Sequence, residues 1–199
     1  MGLVELNRTL SARGRPLREL QDVLRGAVVL GLGSLDAMVA DAIVQAVPSA
    51  ARKAKLGKRV QGWVKGDPDA FLTLFARADP HRELAEMVRE ELALVTFQRT
   101  ATIEDYLRAV LDVEVPWDDA TNKAGVDGTA AAYRKELDLF VGRRNQIAHK
   151  GDVRSGAAPE GIHREWVETN LGRVSALGET ICDAVNKAYG PRRGRPRPR

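Results

Sequence analysis

An all-α helical bundle is the fold class the chain predicts, on three observations. Apolar residues recur at spacings of three and four rather than two. Helix punctuation, an acidic or hydroxyl residue beside a proline or ahead of a glycine, recurs at intervals along the 199 residues. The most apolar stretch, Ala27 to Val47, has the length of a central bundle helix.

Taken in order, the first helix is expected from near Pro16, a residue suited to a first turn, to about Val47, with Pro48 ending it. Residues 1–15 are left as an N-terminal segment. The apolar stretch is also about as long as a membrane span. Ser34, Asp36, Asp41 and Gln45 interrupt it, however, and charges at bilayer depth are costly, so it is read as a helix buried in protein. Ser49 to Lys65 is basic and broken by Gly57 and Gly62, which predicts a solvated connection. Asp67-Pro68 and Asp79-Pro80 each put an acid before a proline, an N-cap and a first-turn residue. They predict a short helix over Phe71 to Phe75 and a longer one over His81 to Phe97. Thr102 with Asp105 three residues on resembles a capping box for Ile103 to Asp112. Val113 to Gly128, with Pro116, Trp117 and two glycines, reads as a loop. Helices follow from about Thr129 to His149 and from about Arg164 to Tyr189. No internal repeat is visible.

The bundle is expected to occupy residues 16–189 as one domain, long enough to bury a core without staples. The formal net charge is +4, yet the five arginines of Pro191 to Arg199 alone exceed it, leaving −1 for the rest. Basicity therefore belongs to the tail at 190–199, which is expected to be disordered. The single cysteine, Cys182, can form neither an internal disulfide nor a zinc site, and no secretory apolar region opens the chain, so a cytoplasmic setting is expected. His, Cys and acidic residues do not cluster at metal-ligand spacing, and no glycine-rich phosphate loop is present. Neither metal nor cofactor is expected.

The segment Arg143-Arg144-Asn145-Gln146-Ile147-Ala148-His149-Lys150-Gly151-Asp152 carries the candidate chemistry. On a helix, Leu137, Phe140, Val141, Ile147 and Ala148 share one stripe, and Arg144 sits near its middle. A charge there needs an anion, either a protein carboxylate or a phosphate brought by a ligand. Asn145 and His149, four apart, flank the stripe. Arg144 and His149 are about 140° apart around the axis, so the arginine's length, fraying after Ala148 or a second copy of the helix must bring them together. A two-fold pairing of helix ends would place two arginines and two histidines around one cleft. There Arg144 would hold a phosphate, His149 would move protons, and Asn145 would bond the phosphate or fix the imidazole tautomer. Asp36 either orients Arg144 or belongs to a structural ion pair.

The motif Arg144-Asn145-Gln146-Ile147-Ala148-His149 resembles the R-x4-6-H signature of the HEPN superfamily of helical bundles. The Ala27 to Val47 stretch, the Phe97-Gln98 turn and the Trp117 loop look like its RiboL-PSP-HEPN group, a likeness covering about residues 16 to 189. The resemblance implies a HEPN-like bundle acting as a metal-independent endoribonuclease, usually a homodimer with a composite site, in toxin-antitoxin or phage-defence systems. It implies RNA as substrate, and a cognate antitoxin or nucleotidyltransferase as a further partner. Some members carry a modifiable tyrosine two residues after the histidine. Here that position is Gly151, which argues against such control.

Competing readings stand beside these. Arg144 could pair with a buried acid such as Asp36 or Asp41 while His149 merely ends a helix. Separately, the protein could be a non-catalytic module that binds RNA or a partner protein with Arg144 as its phosphate or carboxylate anchor. His81 and His163 read as surface residues, and Trp63, Trp117 and Trp166 as too scattered for base stacking. Arg143, Lys150 and the tail residues Arg192, Arg193, Arg195, Arg197 and Arg199 are candidate RNA contacts acting through counterion release.

Overall fold

The computed structural model describes residues 2–13, 17–66, 68–126, 128–150, 152 and 159–190. Among the described residues there are nine α-helices and no strand: α1 Leu3–Ala12, α2 Leu17–Arg52, α3 Lys58–Gly66, α4 Pro68–Phe75, α5 Pro80–Leu92, α6 Thr100–Leu111, α7 Trp117–Lys123, α8 Ala130–Lys150 and α9 Arg164–Tyr189. The fold is all-α. Pro16, Asp67, Gly151 and the arginine tail, to which the sequence assigned a helix start, an N-cap, a helix stop and RNA contacts, lie outside the described residues.

The chain divides into two compact units. The first comprises Met1–Met38, Phe97–Thr100 and Trp117–Glu179, and the second Val39–Thr96, Ala101–Pro116 and Thr180–Arg199. In the first, Leu24, Val28, Leu32 and Leu35 recur at three and four along α2 and are buried, as are Phe97, Leu137, Phe140, Val167 and Leu177. Gly31 allows α2 and α9 to approach: a Cβ there would meet a Leu171 methyl at 2.2 Å. A Cβ at Gly33, two residues on, would meet nothing within 4 Å. The N-terminal residues also form a helix, α1, whose buried Asn7 donates from its side-chain amide to the Leu20 carbonyl at 2.7 Å. Asn7 is thereby satisfied on burial, and one of α2's early carbonyls gains a donor.

The loop expected over 113–128 contains α7. Its Trp117 ring lies 6.2 Å from that of Tyr133 on α8, and Thr121 donates back to the Trp117 carbonyl. Helix α8 starts where Thr129 Oγ1 accepts from the Ala132 amide. Helix α6 begins two residues before the expected cap. Thr100 donates from both its amide and its hydroxyl to Asp138, so the capping carboxylate comes from another helix and Thr102 lies inside the first turn.

In the second unit, Val60, Val88, Ile103, Leu107, Ile181 and Val185 are buried. The basic segment after α2 is not simply a connection, because α3 forms across Gly62. Gly57, before it, is required by close approach: a Cβ would stand 2.3 Å from the Ala109 carbonyl oxygen, and the Gly57 amide donates to Val110 at 2.8 Å. Helix α5 begins as expected, with Asp79 accepting from the Arg82 amide and Pro80 following, but stops at Leu92. By length and composition α2 could cross a membrane, and 39% of its most apolar window lies inside the fold.

Helix α2 runs through Pro48 to Arg52. A proline removes only its own amide and leaves residues behind it free to donate, and burial of Val47 and Ala50 holds the helix past it. The end comes at Ala54, in the left-handed region (φ 51°), where the Lys55 amide donates to Ala50 and the Ala54 amide to Ala51. This is a Schellman motif carrying alanine where glycine is preferred. Ala54→Gly is therefore expected to stabilise the fold by about 0.5–1 kcal/mol, read as a higher urea midpoint; an unchanged or lower midpoint contradicts it.

Candidate functional site

The candidate site lies in the first unit, on the last turns of α8. Tyr133, Leu137, Phe140 and Val141 are buried along the helix, and Arg144 continues their stripe as a half-buried residue. Its Nε is buried and, among the described residues, has no partner. One terminal nitrogen donates to Asn145 Oδ1 at 3.2 Å. Among the described residues no carboxylate pairs with Arg144. Asp36, expected to orient it or to form an ion pair, instead accepts the Phe97 backbone amide at 2.5 Å, and Asp41 belongs to the second unit and is exposed.

His149 is exposed in the last turn. Helix α8 continues through Lys150, which excludes fraying after Ala148 as the way to join the pair and leaves Arg144 and His149 about 140° apart around one axis. Asn145 faces the guanidinium and not the imidazole, so the structure joins Arg144 to Asn145 and leaves His149 apart. Lys150 is exposed, as a surface contact would require.

Arg143 has a different fate from its neighbour. Its terminal nitrogens reach Asp152 Oδ2 at 2.8 Å, the Glu160 carboxylate, and the carbonyls of Glu160 and Gly161 at 2.9 and 3.2 Å. With these donors engaged internally, Arg143 does not offer the free fork that a phosphate contact needs. The same Asp152 Oδ2 accepts Arg25 Nε at 2.8 Å, and Arg25 also bonds Asp22 at 2.9 Å and the Glu160 carbonyl at 2.8 Å. The Asp152 side chain is fully buried, against 10% exposure for Arg25 and 12% for Arg143. Its backbone is left-handed (φ 62°), its amide donates to the Gln146 carbonyl, and its own carbonyl accepts from Glu160. One carboxylate therefore ties α2, α8 and the segment leading to α9.

Sequence reasoning missed Arg25 and Asp152, although a signal for the first existed. Arg25 stands three residues before Val28 and seven before Leu32, on α2's buried stripe, where the argument made for Arg144 applies equally. His163 and Trp166, read as surface and scattered, are brought with Arg143 to one cleft. No group of His, Cys or acidic residues able to hold a metal occurs among the described residues. Burial, then the neighbouring Asp183, pushes the Cys182 thiol up, which disfavours the thiolate a nucleophile requires.

Removing Asp152 leaves two guanidinium groups facing each other in a buried site. Asp152→Ala is expected to cost about 3–5 kcal/mol in urea denaturation, and Asp22→Ala, at an exposed carboxylate, under about 1 kcal/mol; equal costs would contradict the shared-carboxylate account. Compared with protein-family models, curated proteins and solved structures, the chain matches none of them.

Proposed function

We propose that the chain is a metal-independent endoribonuclease of the HEPN type, acting as a cytoplasmic homodimer in a toxin-antitoxin or phage-defence setting. One observation carries the reading: among the described residues Arg144 is a half-buried guanidinium with an unpartnered Nε and no carboxylate, five residues before a solvent-exposed imidazole. A buried cation without a protein anion is costly, and a phosphate oxygen would relieve that cost. Asn145, bonded to Arg144, holds it and adds an amide donor beside the phosphate. One imidazole removes the proton of a ribose 2′-hydroxyl, whose oxygen attacks phosphorus. The P–O5′ bond breaks, and the leaving oxygen takes a proton from the imidazole of the second copy. The products are a 2′,3′-cyclic phosphate and a 5′-hydroxyl, and DNA, without the attacking group, is spared.

A second copy is the route we favour across the angle within one helix. Leu139 is 57% exposed, and by helical phase it stands about 60° from Gly142 and about 80° from His149, on the side of α8 away from the buried stripe. A partner seated on that face would bring its own His149 to the cleft.

A second reading, a non-catalytic module binding RNA or a partner such as an antitoxin or nucleotidyltransferase, is favoured by one observation. Among the described residues nothing orients His149, whereas a working base is commonly held by a neighbour.

Incubation with RNA in excess EDTA distinguishes the two. Cleavage is expected, falling by about 10²–10⁴ in His149→Ala and Arg144→Ala. Absence of cleavage, or cleavage surviving His149→Ala, rejects the nuclease; RNA binding that vanishes on deletion of residues 191–199 with no cleavage favours the module. Leu139→Asp is expected to convert a dimer into a monomer by light scattering and to abolish cleavage together with it. A monomeric wild-type chain at micromolar concentration would remove the composite site.

A further inference from the structure

A cleft of about 220 Å³ opens in the first unit, lined by Arg143, Gly161, Ile162, His163 and Trp166. Its three chemical groups are of one kind. Trp166 is 36% exposed, and its indole is braced edge-on against the buried Phe140 ring, centroids 5.2 Å apart and planes at 63°. The planar Arg143 guanidinium is fixed by Asp152, Glu160 and two carbonyls, which restrict its rotation. His163 is exposed just before the first turn of α9 and contributes an imidazole, a hydrogen-bond donor and acceptor in its neutral form.

We infer that this cleft is a nucleobase-binding subsite, taking one base of a single-stranded RNA between the Trp166 indole and the Arg143 guanidinium plane, with His163 at the base's polar edge. Charge decides against an anion as occupant. Asp152 and Glu160 already balance Arg143, so a phosphate or carboxylate entering here would meet a neutralised cation with carboxylates behind it. A neutral planar ring loses nothing by that neutralisation, because stacking on indole and guanidinium faces needs orientation rather than net charge. The cleft's size agrees, since it is below the usual range for drug-sized ligands and suits a single ring system. Ile162, 5% exposed, supplies an apolar wall.

The subsite deepens the RNA reading by naming how one nucleotide is held, through the same helix that carries Arg144. Its test reads binding rather than cleavage, so the two can fail separately. Uncharged ribonucleosides (adenosine, guanosine, cytidine and uridine) are titrated against the full chain by saturation-transfer NMR. At least one is expected to bind, with affinity about tenfold weaker in Trp166→Ala, largely retained in Trp166→Phe, and lowered in His163→Ala. Inorganic phosphate is expected not to displace it. Circular dichroism confirms that each variant is folded, and Trp166→Phe preserves the test if Trp166→Ala does not fold. Failure of all four nucleosides to bind, equal binding by folded Trp166→Ala, or displacement by phosphate overturns the subsite, whatever the EDTA assay shows.

Discussion

A single carboxylate oxygen, Asp152 Oδ2, receives hydrogen bonds from two arginines that stand 118 positions apart in the chain, and the candidate site is positioned by that arrangement. Arg25 fixes it to α2 and Arg143 to α8, while the Glu160 carbonyl accepts from both guanidiniums and holds the segment leading into α9. No member is stable in its surroundings alone. Two cations at 10% and 12% exposure would repel each other, and a carboxylate at 0% would be desolvated without return. Such a cluster contributes little net free energy compared with an apolar core of the same volume, but it admits few alternatives in geometry. It acts as a register pin for the end of α8.

That pin explains why neighbouring arginines on one helix have different chemistry. Arg143 and Arg144 are about 100° apart around the axis. The first turns towards the return segment and is saturated by two carboxylates and two carbonyls. The second turns along the stripe of Leu137, Phe140 and Val141 and, among the described residues, meets no carboxylate and keeps an unpartnered Nε. Charge alone does not distinguish them; helical phase and the position of Asp152 do. The saturated one becomes a rigid planar surface suited to stacking, and the unsaturated one remains able to take an anion.

Phase along a helix was legible in the sequence, and tertiary partners were not. The bounds of α9 follow from its stripe of Leu171, Val174, Leu177, Ile181 and Val185, and Arg144 was identified as an uncomfortable charge by the same geometry. Arg25 was equally legible by phase. Asp152 was not, because its role arises only when the chain turns back through a left-handed residue to meet α2. The start of α6 depends on Asp138, 38 residues away from Thr100, and α1 is joined to α2 through the Asn7 amide, so both are settled by partners that local spacing does not reveal. Pro48 misled for a related reason. Propensity marks where a helix loses a bond, whereas burial of Val47 and Ala50 decides whether it continues.

The angle between Arg144 and His149 bears on function more than either residue does. If α8 frayed at Ala148, one chain could fold both groups towards a single phosphate and a monomer would suffice. The helix instead persists through Lys150, leaving the guanidinium on the apolar stripe and the imidazole on the solvent face with the exposed Leu139. Two groups fixed on different faces of one cylinder meet a common ligand only where that ligand spans the edge between the faces or where another molecule supplies the missing group. The extended phosphodiester of an RNA strand has the reach for the first, and a second copy with its own exposed imidazole supplies the second. In the proposed dimer both would operate in a cleft between helix ends, and the second route fails if Leu139 faces only water.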